Sequence, residues 1–238
     1  ALGGFISICM VVILWNQLEM RERQNHVRIG MGQQIIIKQA IANNIRSATD
    51  SLRHMARRWE FSNGTLKAKW AADSKNYIAD NRALTTVEWV DADYKVRWIE
   101  PLAGNEKALG LNIAFDENRK KALAGAAAKN AITMTPPLEL VQGYRAAIVY
   151  VPIHISNKFA GFIVGIYKLN QFFHEILSED FLRDFNIEIL DQNTQVFKHQ
   201  DTPHHRHRPS LQISDSIELF NRCWSINISP KAAWVEHR

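Results

Sequence analysis

Apolar positions divide the chain into an uncharged run, a long helical seam and a series of short alternating stretches. Residues 1–15 carry no charge, fewer than the about 20 apolar residues that a membrane-spanning helix needs. This run passes directly into residues 17–60, which lack proline and place Ile41, Ile45, Ala48, Leu52, Met55 and Trp59 at steps of 4, 3, 4, 3 and 4. Those steps put all six on one side of an α-helix. A continuous helix over 17–60 would reach about 66 Å at 1.5 Å per residue. The seam suits packing against a core, above all from Ile45 onward. Its near-heptad spacing also suits a dimerising stalk, above all in the N-terminal half as far as Ile41. Residues 1–16 read as the end of a transmembrane helix, with no basic segment or cleavage signal of a secretory leader. Arg21, Arg23 and Arg28 follow it, on the side where positive charge usually marks the cytoplasm.

Ser62-Asn63-Gly64 breaks the helix, and a shorter one carries Leu66, Trp70, Tyr77 and Ile78. Strands are predicted at Val87–Val90, Val96–Ile99 and, more briefly, Leu111–Phe115. A helix follows from an Asp116 N-cap to about Asn130. Further strands are predicted at Ala147–Ile155 and Phe162–Lys168, with a connecting helix over Gln171–Leu177. A hairpin is written twice, one hundred residues apart. Glu88-Trp89-Val90-Asp91-Ala92-Asp93-Tyr94-Lys95-Val96 is echoed by Glu188-Ile189-Leu190-Asp191-Gln192-Asn193-Thr194-Gln195-Val196. Asp and Asn tolerate the left-handed backbone of tight turns, and the interval is about that of a small domain. Late strands are expected at Leu211–Ile213, Ile217–Phe220 and Trp224–Ile228. Helices beside antiparallel strands define an α+β fold: a long N-terminal stalk helix plus two tandem PAS/Cache-like modules with antiparallel sheets. The divisions are 1–16 for the end of the span, 17–60 for the stalk, 61–180 for a membrane-distal ligand-binding module and 181–238 for a membrane-proximal one.

Composition narrows the function. The 238 residues are 46% hydrophobic and 22% charged, with a formal net charge of +5, an ordinary globular balance. The basic residues are dispersed, which argues against nucleic-acid binding. The 2 cysteines, Cys9 in the apolar run and Cys223 in a late strand, are not expected to pair. No P-loop, G-x-S-x-G elbow or H-E-x-x-H motif is present, so this segment is read as non-catalytic and without a cofactor. His204-His205-Arg206-His207 has no i, i+4 spacing and no supporting cysteine, so no metal site is expected there. A weak pH response of these histidines stays open.

The middle of the chain resembles the CHASE domain family, the extracytoplasmic sensors of bacterial receptors and plant cytokinin receptors. The likeness rests on Val87-Glu88-Trp89-Val90-Asp91, Arg97-Trp98-Ile99-Glu100-Pro101, Asn105-Glu106, Gly110-Leu111-Asn112-Ile113, Arg119, Ala122-Leu123, Thr135-Pro136, Leu140-Val141-Gln142-Gly143, Tyr150-Val151-Pro152-Ile153 and Gly161-Phe162-Ile163-Val164-Gly165. What it implies is a stalk helix, a distal module that binds ligand, and a proximal module leading to the next membrane helix. In the plant members an acidic side chain holds the ligand on the strand equivalent to Leu111-Asn112-Ile113. Asn112 stands there in this chain, and an amide offers one acceptor and two donors, which counts against an adenine-type ligand.

By position Thr133 and Gln142 stand at the far side of the implied pocket, with Thr135 beside them. Trp89, Trp98 and Tyr150 could supply its walls. Each has a plainer use: turn bonding for the threonines, core packing for Trp89, and for Arg119 an ion pair with Glu106. The expectation is a periplasmic sensor anchored in a bacterial inner membrane through the N-terminal helix, homodimeric through the stalk. It would bind a small molecule and signal to a cytoplasmic diguanylate cyclase/phosphodiesterase or histidine kinase. The alternative is a membrane-anchored protein-interaction module without a small-molecule ligand.

Overall fold

The structure, a computed structural model, describes residues 2–81, 84–115, 117–140, 143–200 and 212–231. Helix α1 (Leu2–Phe61) is 60 residues long, so it reaches about 90 Å. Asn63 takes φ 52° and Gly64 N donates to Trp59 O at 2.9 Å, a Schellman ending at the expected break. The seam faces inward: Ile41, Ile45, Ala48 and Leu52 are all 0% exposed. Ile41 therefore belongs to the core and not to a free dimer face. Exposed apolar residues on the part of the helix before Ile41 include Met31, Ile35 and Ile36. Among the described residues no helix is long and apolar enough to cross a membrane.

After α2 (Lys67–Asp80) the chain lays down β1 (Thr86–Val90), β2 (Val96–Glu100), α3 (Glu117–Ala128), β3 (Thr133–Met134), β4 (Leu138–Glu139), β5 (Arg145–Ile155) and β6 (Lys158–Lys168). These strands form one antiparallel sheet of order β2-β1-β6-β5-β3, with β4 beside β5. Ser156 and Asn157 both take positive φ, which closes β5 and β6 in the two-residue turn that suits strand twist. A Cβ on Gly161 would lie 2.1 Å from Val90 O, so only glycine lets β1 approach β6 there. The strand expected at Leu111–Phe115 is reduced to one bridge, Lys95 to Asn112. Asn112 Oδ1 accepts from Ala114 N at 2.8 Å, and that local turn replaces a ladder.

Helices α4 (Leu169–Ile176) and α5 (Glu179–Asp184) lead to β7 (Phe185–Asp191), β8 (Thr194–His199), β9 (Ile213–Leu219) and β10 (Arg222–Pro230). The second sheet runs β8-β7-β10-β9. It repeats β2-β1-β6-β5 strand for strand, and both hairpins shift register at the same step, Trp89/Val90 and Ile189/Leu190. The nine-residue echo thus marks a duplicated topology. The two modules are not separate bodies, however, because one apolar core runs through α1, α4 and the inner faces of both sheets. Phe173 of α4 stacks on Phe197 of β8 at 4.6 Å. Lower on α1, Gln34 Nε2 donates to Ile226 O at 3.0 Å and Lys38 pairs with Asp215 at 2.7 Å.

Asp191, at the end of the second hairpin's first strand, is 1% exposed. It accepts two bonds from Arg222, at 2.8 and 2.7 Å. Removing one partner of a buried pair strands the other charge. Arg222→Met is expected to lower unfolding free energy by about 3 kcal/mol in urea titration; a loss under about 1 kcal/mol would contradict the pairing's role.

Candidate ligand-binding site

Strand alternation decides which residues can meet on the first sheet. The register aligns Ile99, Glu88, Val164, Tyr150 and Thr133 across β2, β1, β6, β5 and β3. This row faces away from α1, in a second apolar cluster that holds Ile99, Val164, Tyr150, Phe162 and Ile148 with Leu123 and Ala126 of α3. The row of Trp98, Trp89, Ile163 and Val151 lies on the opposite face. There Trp89 and Trp98 meet at 4.4 Å, and Trp59 approaches them at 4.9 and 5.3 Å. These two tryptophans brace the sheet against α1 and do not share a face with Tyr150. Their place follows from alternation, since neighbours Glu88 and Trp89 must point to opposite sides.

The remaining sequence-predicted site residues divide as follows. Thr133 lies directly opposite Tyr150. Thr135 uses its hydroxyl to accept from Ile148 N at 3.0 Å, so it fastens the sheet edge. Asn112 is exposed and lines an open depression of about 360 Å³ with Asp93, Tyr94, Phe115, Glu117 and Lys120. Gln142 lies outside the described residues, as does the histidine loop at 204–207.

The structure adds residues that the sequence reading had not assembled. Arg119 of α3 reaches beneath its own helix, and its Nη2 donates to Tyr150 Oη at 3.0 Å. Its guanidinium also lies over the Phe115 ring, 5.0 Å from the centroid, whereas Glu106 accepts from Gly104 N. The expected Arg119–Glu106 pairing thus gives way to a contact with Tyr150. Glu88 is 5% exposed. Burial pushes its carboxyl up to about 7, an effect partly offset by the charge of Arg119. Burial likewise raises the hydroxyls of Tyr150 and Tyr144. Asn105 donates to Pro101 O at 2.9 Å and accepts from Tyr144 Oη at 3.4 Å, closing one side of the cluster.

Phe115 and Tyr94 link this buried cluster to the outside. Phe115 carries Arg119 and lines the depression. Tyr94, also on its wall, lies 6.4 Å from Phe162, which lies 5.6 Å from Tyr150. The outer face therefore brings together apolar residues, a carboxyl, a guanidinium and phenolic hydroxyls.

A long helix serving two antiparallel sheets, one with a polar cluster under a covering helix, is the α+β arrangement that the sequence predicts. The chain belongs to the CHASE domain family, whose model matches residues 39–200. No curated protein matches it. Solved structures share the fold at low identity. An extracellular ligand binding receptor from Desulfohalobium retbaense is 14% identical at a TM-score of 0.67; the match covers 81% of this chain and 38% of that one. A domain of a putative sensory box/GGDEF family protein from Vibrio parahaemolyticus is 11% identical at 0.63, covering 90% and 99%. The ligand-binding domain of the Pseudomonas fluorescens chemoreceptor CtaA, in complex with L-leucine, is 14% identical at 0.59, covering 93% and 99%.

Proposed function

We propose that this chain is the extracytoplasmic sensor region of a transmembrane receptor, held in a bacterial inner membrane through the start of α1 and facing the periplasm. It binds a small molecule on the outer face of the first sheet, beneath α3. The observation that carries this reading is the cluster of buried Glu88 and Tyr150 with half-buried Arg119 beside an open depression. Binding biases the chain between two arrangements through contacts made in only one of them. One element is placed to pass that bias on. Strand β3 holds Thr133 against Tyr150, while its Met134 N donates to Asn221 Oδ1 of the β9–β10 turn at 2.6 Å. Arg145 makes a second bridge, to Gln195 O at 2.6 Å. The output domain is a diguanylate cyclase/phosphodiesterase or a histidine kinase carried elsewhere in the full protein, and the receptor pairs through the stalk. Exposed Met31, Ile35 and Ile36 support that pairing. They also favour the second reading, an anchored protein-interaction module without a small ligand.

A thermal-shift screen of small metabolites tests the site. At least one compound is expected to raise the melting temperature, with affinity falling about tenfold in Tyr150→Phe through one lost hydrogen bond. Asn112→Ala reports separately on the depression. No stabilising compound, or one indifferent to both substitutions, contradicts the site.

A further inference from the structure

Where α1 gives way to α2 the chain leaves a cavity of about 190 Å³. Its apolar lining is Met55, Trp59 and Trp70, all buried. Ser62, Thr65 and Lys69 stand around the same space. Arg58 lines it too, but its charge is matched by Asp73 at 2.7 Å, and it also donates to Tyr77 Oη at 2.8 Å. Lys69 is exposed and pairs with no carboxylate among the described residues. The lining therefore keeps one uncompensated positive charge.

Two independent observations point to an anion there. Helix α2 begins without a cap: Leu66 holds the N-cap position with no side-chain acceptor, and the first turn carries no acidic residue. Trp70 N makes the first bond, to Leu66 O at 3.0 Å, so the N–H groups of Lys67, Ala68 and Lys69 have no acceptor inside the helix. Leu66 and Lys69 line the cavity, which sets the positive end of the helix at its edge. Separately, Trp70 is 1% exposed and lines the cavity, yet its indole Nε1 has no hydrogen-bond partner. An indole nitrogen can only donate, and a buried donor left unpaired is costly. The backbone N–H groups, the indole and Lys69 all lack the same thing, an acceptor.

We propose that this cavity is a second ligand site, taking a small aromatic carboxylate. Its ring lies against Met55, Trp59 and Trp70, and its carboxylate caps α2 beside Lys69. One uncompensated charge suits a monoanion, whereas a phosphate monoester brings a charge of roughly −2. The volume is below that of sites for drug-sized ligands, which leaves room for a single ring. Trp59 and Trp70 lie 5.3 and 5.5 Å from Trp98 of β2, on the face of the first sheet opposite Tyr150. Occupancy of the cavity thus reaches the same sheet from its other side, and the site is separate from the outer face in both place and chemistry.

Titration of the chain with benzoate and phenylacetate, followed by calorimetry and tryptophan fluorescence, tests the proposal. At least one acid is expected to saturate with a dissociation constant of about 0.1–1 mM, the reach of a ligand of about ten atoms. Benzamide and inorganic phosphate should be at least about tenfold weaker. Leu66→Asp places a capping carboxylate in the chain itself. It should raise the melting temperature of the free chain and weaken the acid by about tenfold or more. Lys69→Gln should weaken it about threefold and leave the melting temperature unchanged. Tyr150→Phe, on the outer face, should leave the affinity as it is. No saturable binding of either acid overturns the proposal, as does binding untouched by both Leu66→Asp and Lys69→Gln. Phosphate binding as tightly as the acid overturns the class. Binding lost in Tyr150→Phe instead puts the acid on the outer face, which overturns the second site and spares the first.

Discussion

Replacing Glu88 with glutamine is expected to make the chain more stable at alkaline pH and to leave it unchanged in acid. Burial holds this carboxyl near 7 in the folded state, against an ordinary value of 4.5. Between those values the folded chain keeps a proton that the unfolded chain releases. Stability from this group is therefore complete below about pH 4.5 and falls as pH rises through 7. A shift of that size corresponds to about 3 kcal/mol. Arg119 of α3 and the Tyr144 and Tyr150 hydroxyls face the group, and burial raises both hydroxyls, away from that window. Asp91 and Asp215, held low by their partners, lose their contribution at more acid pH, and both remain in the variant. Urea titrations followed by tryptophan fluorescence should thus give a wild-type deficit near zero at pH 4.5 and about 3 kcal/mol at pH 8. An offset independent of pH would show that Glu88 is not the buried group described. The same residue is expected to be needed for binding, the usual opposition of stability and function at a site.

The second large effect separates core from stalk. Ile41 is 0% exposed, and Ile41→Glu places an unpaired charge where α1 meets the sheets. A loss of at least about 4 kcal/mol is expected, seen as an unfolded or strongly shifted urea transition. Ile35 is 54% exposed, so Ile35→Glu should stay within about 0.5 kcal/mol of wild type. It is the substitution expected to reduce self-association in sedimentation. An Ile41→Glu chain that folds normally and only loses its partner would restore the stalk seam at that position.

These two positions also show what the sequence discloses. The steps from Ile41 to Trp59 gave helix and buried face correctly, because period and burial are local properties, whereas the helix itself runs 60 residues where a stalk over 17–60 was expected. The step from core seam to dimer seam is tertiary, and at Ile41 the spacing alone could not choose between them. The hairpin echo was legible for the same reason: turn chemistry and alternation sit within nine residues, and its bulge recurs at Trp89/Val90 and Ile189/Leu190. The site was less legible. Aromatic type suggested Trp89 and Trp98 as pocket walls, while alternation could have set Glu88 apart from Trp89. Which face receives α1 depends on packing over long separations. Arg119 meets Tyr150 31 residues away, a contact that no local pattern announces. Asn112 carried the family's position but sits in a local turn at the rim.

Hydrogen exchange with and without the most stabilising metabolite tests the account most directly. Added protection should concentrate in β1, α3 and the middle of β5, around Glu88, Arg119 and Tyr150, with a smaller change at the β9–β10 turn near Asn221. Protection confined to the tryptophan cluster at Trp59, Trp89 and Trp98, or to the exposed stretch around Ile35, would place the ligand elsewhere and contradict the account.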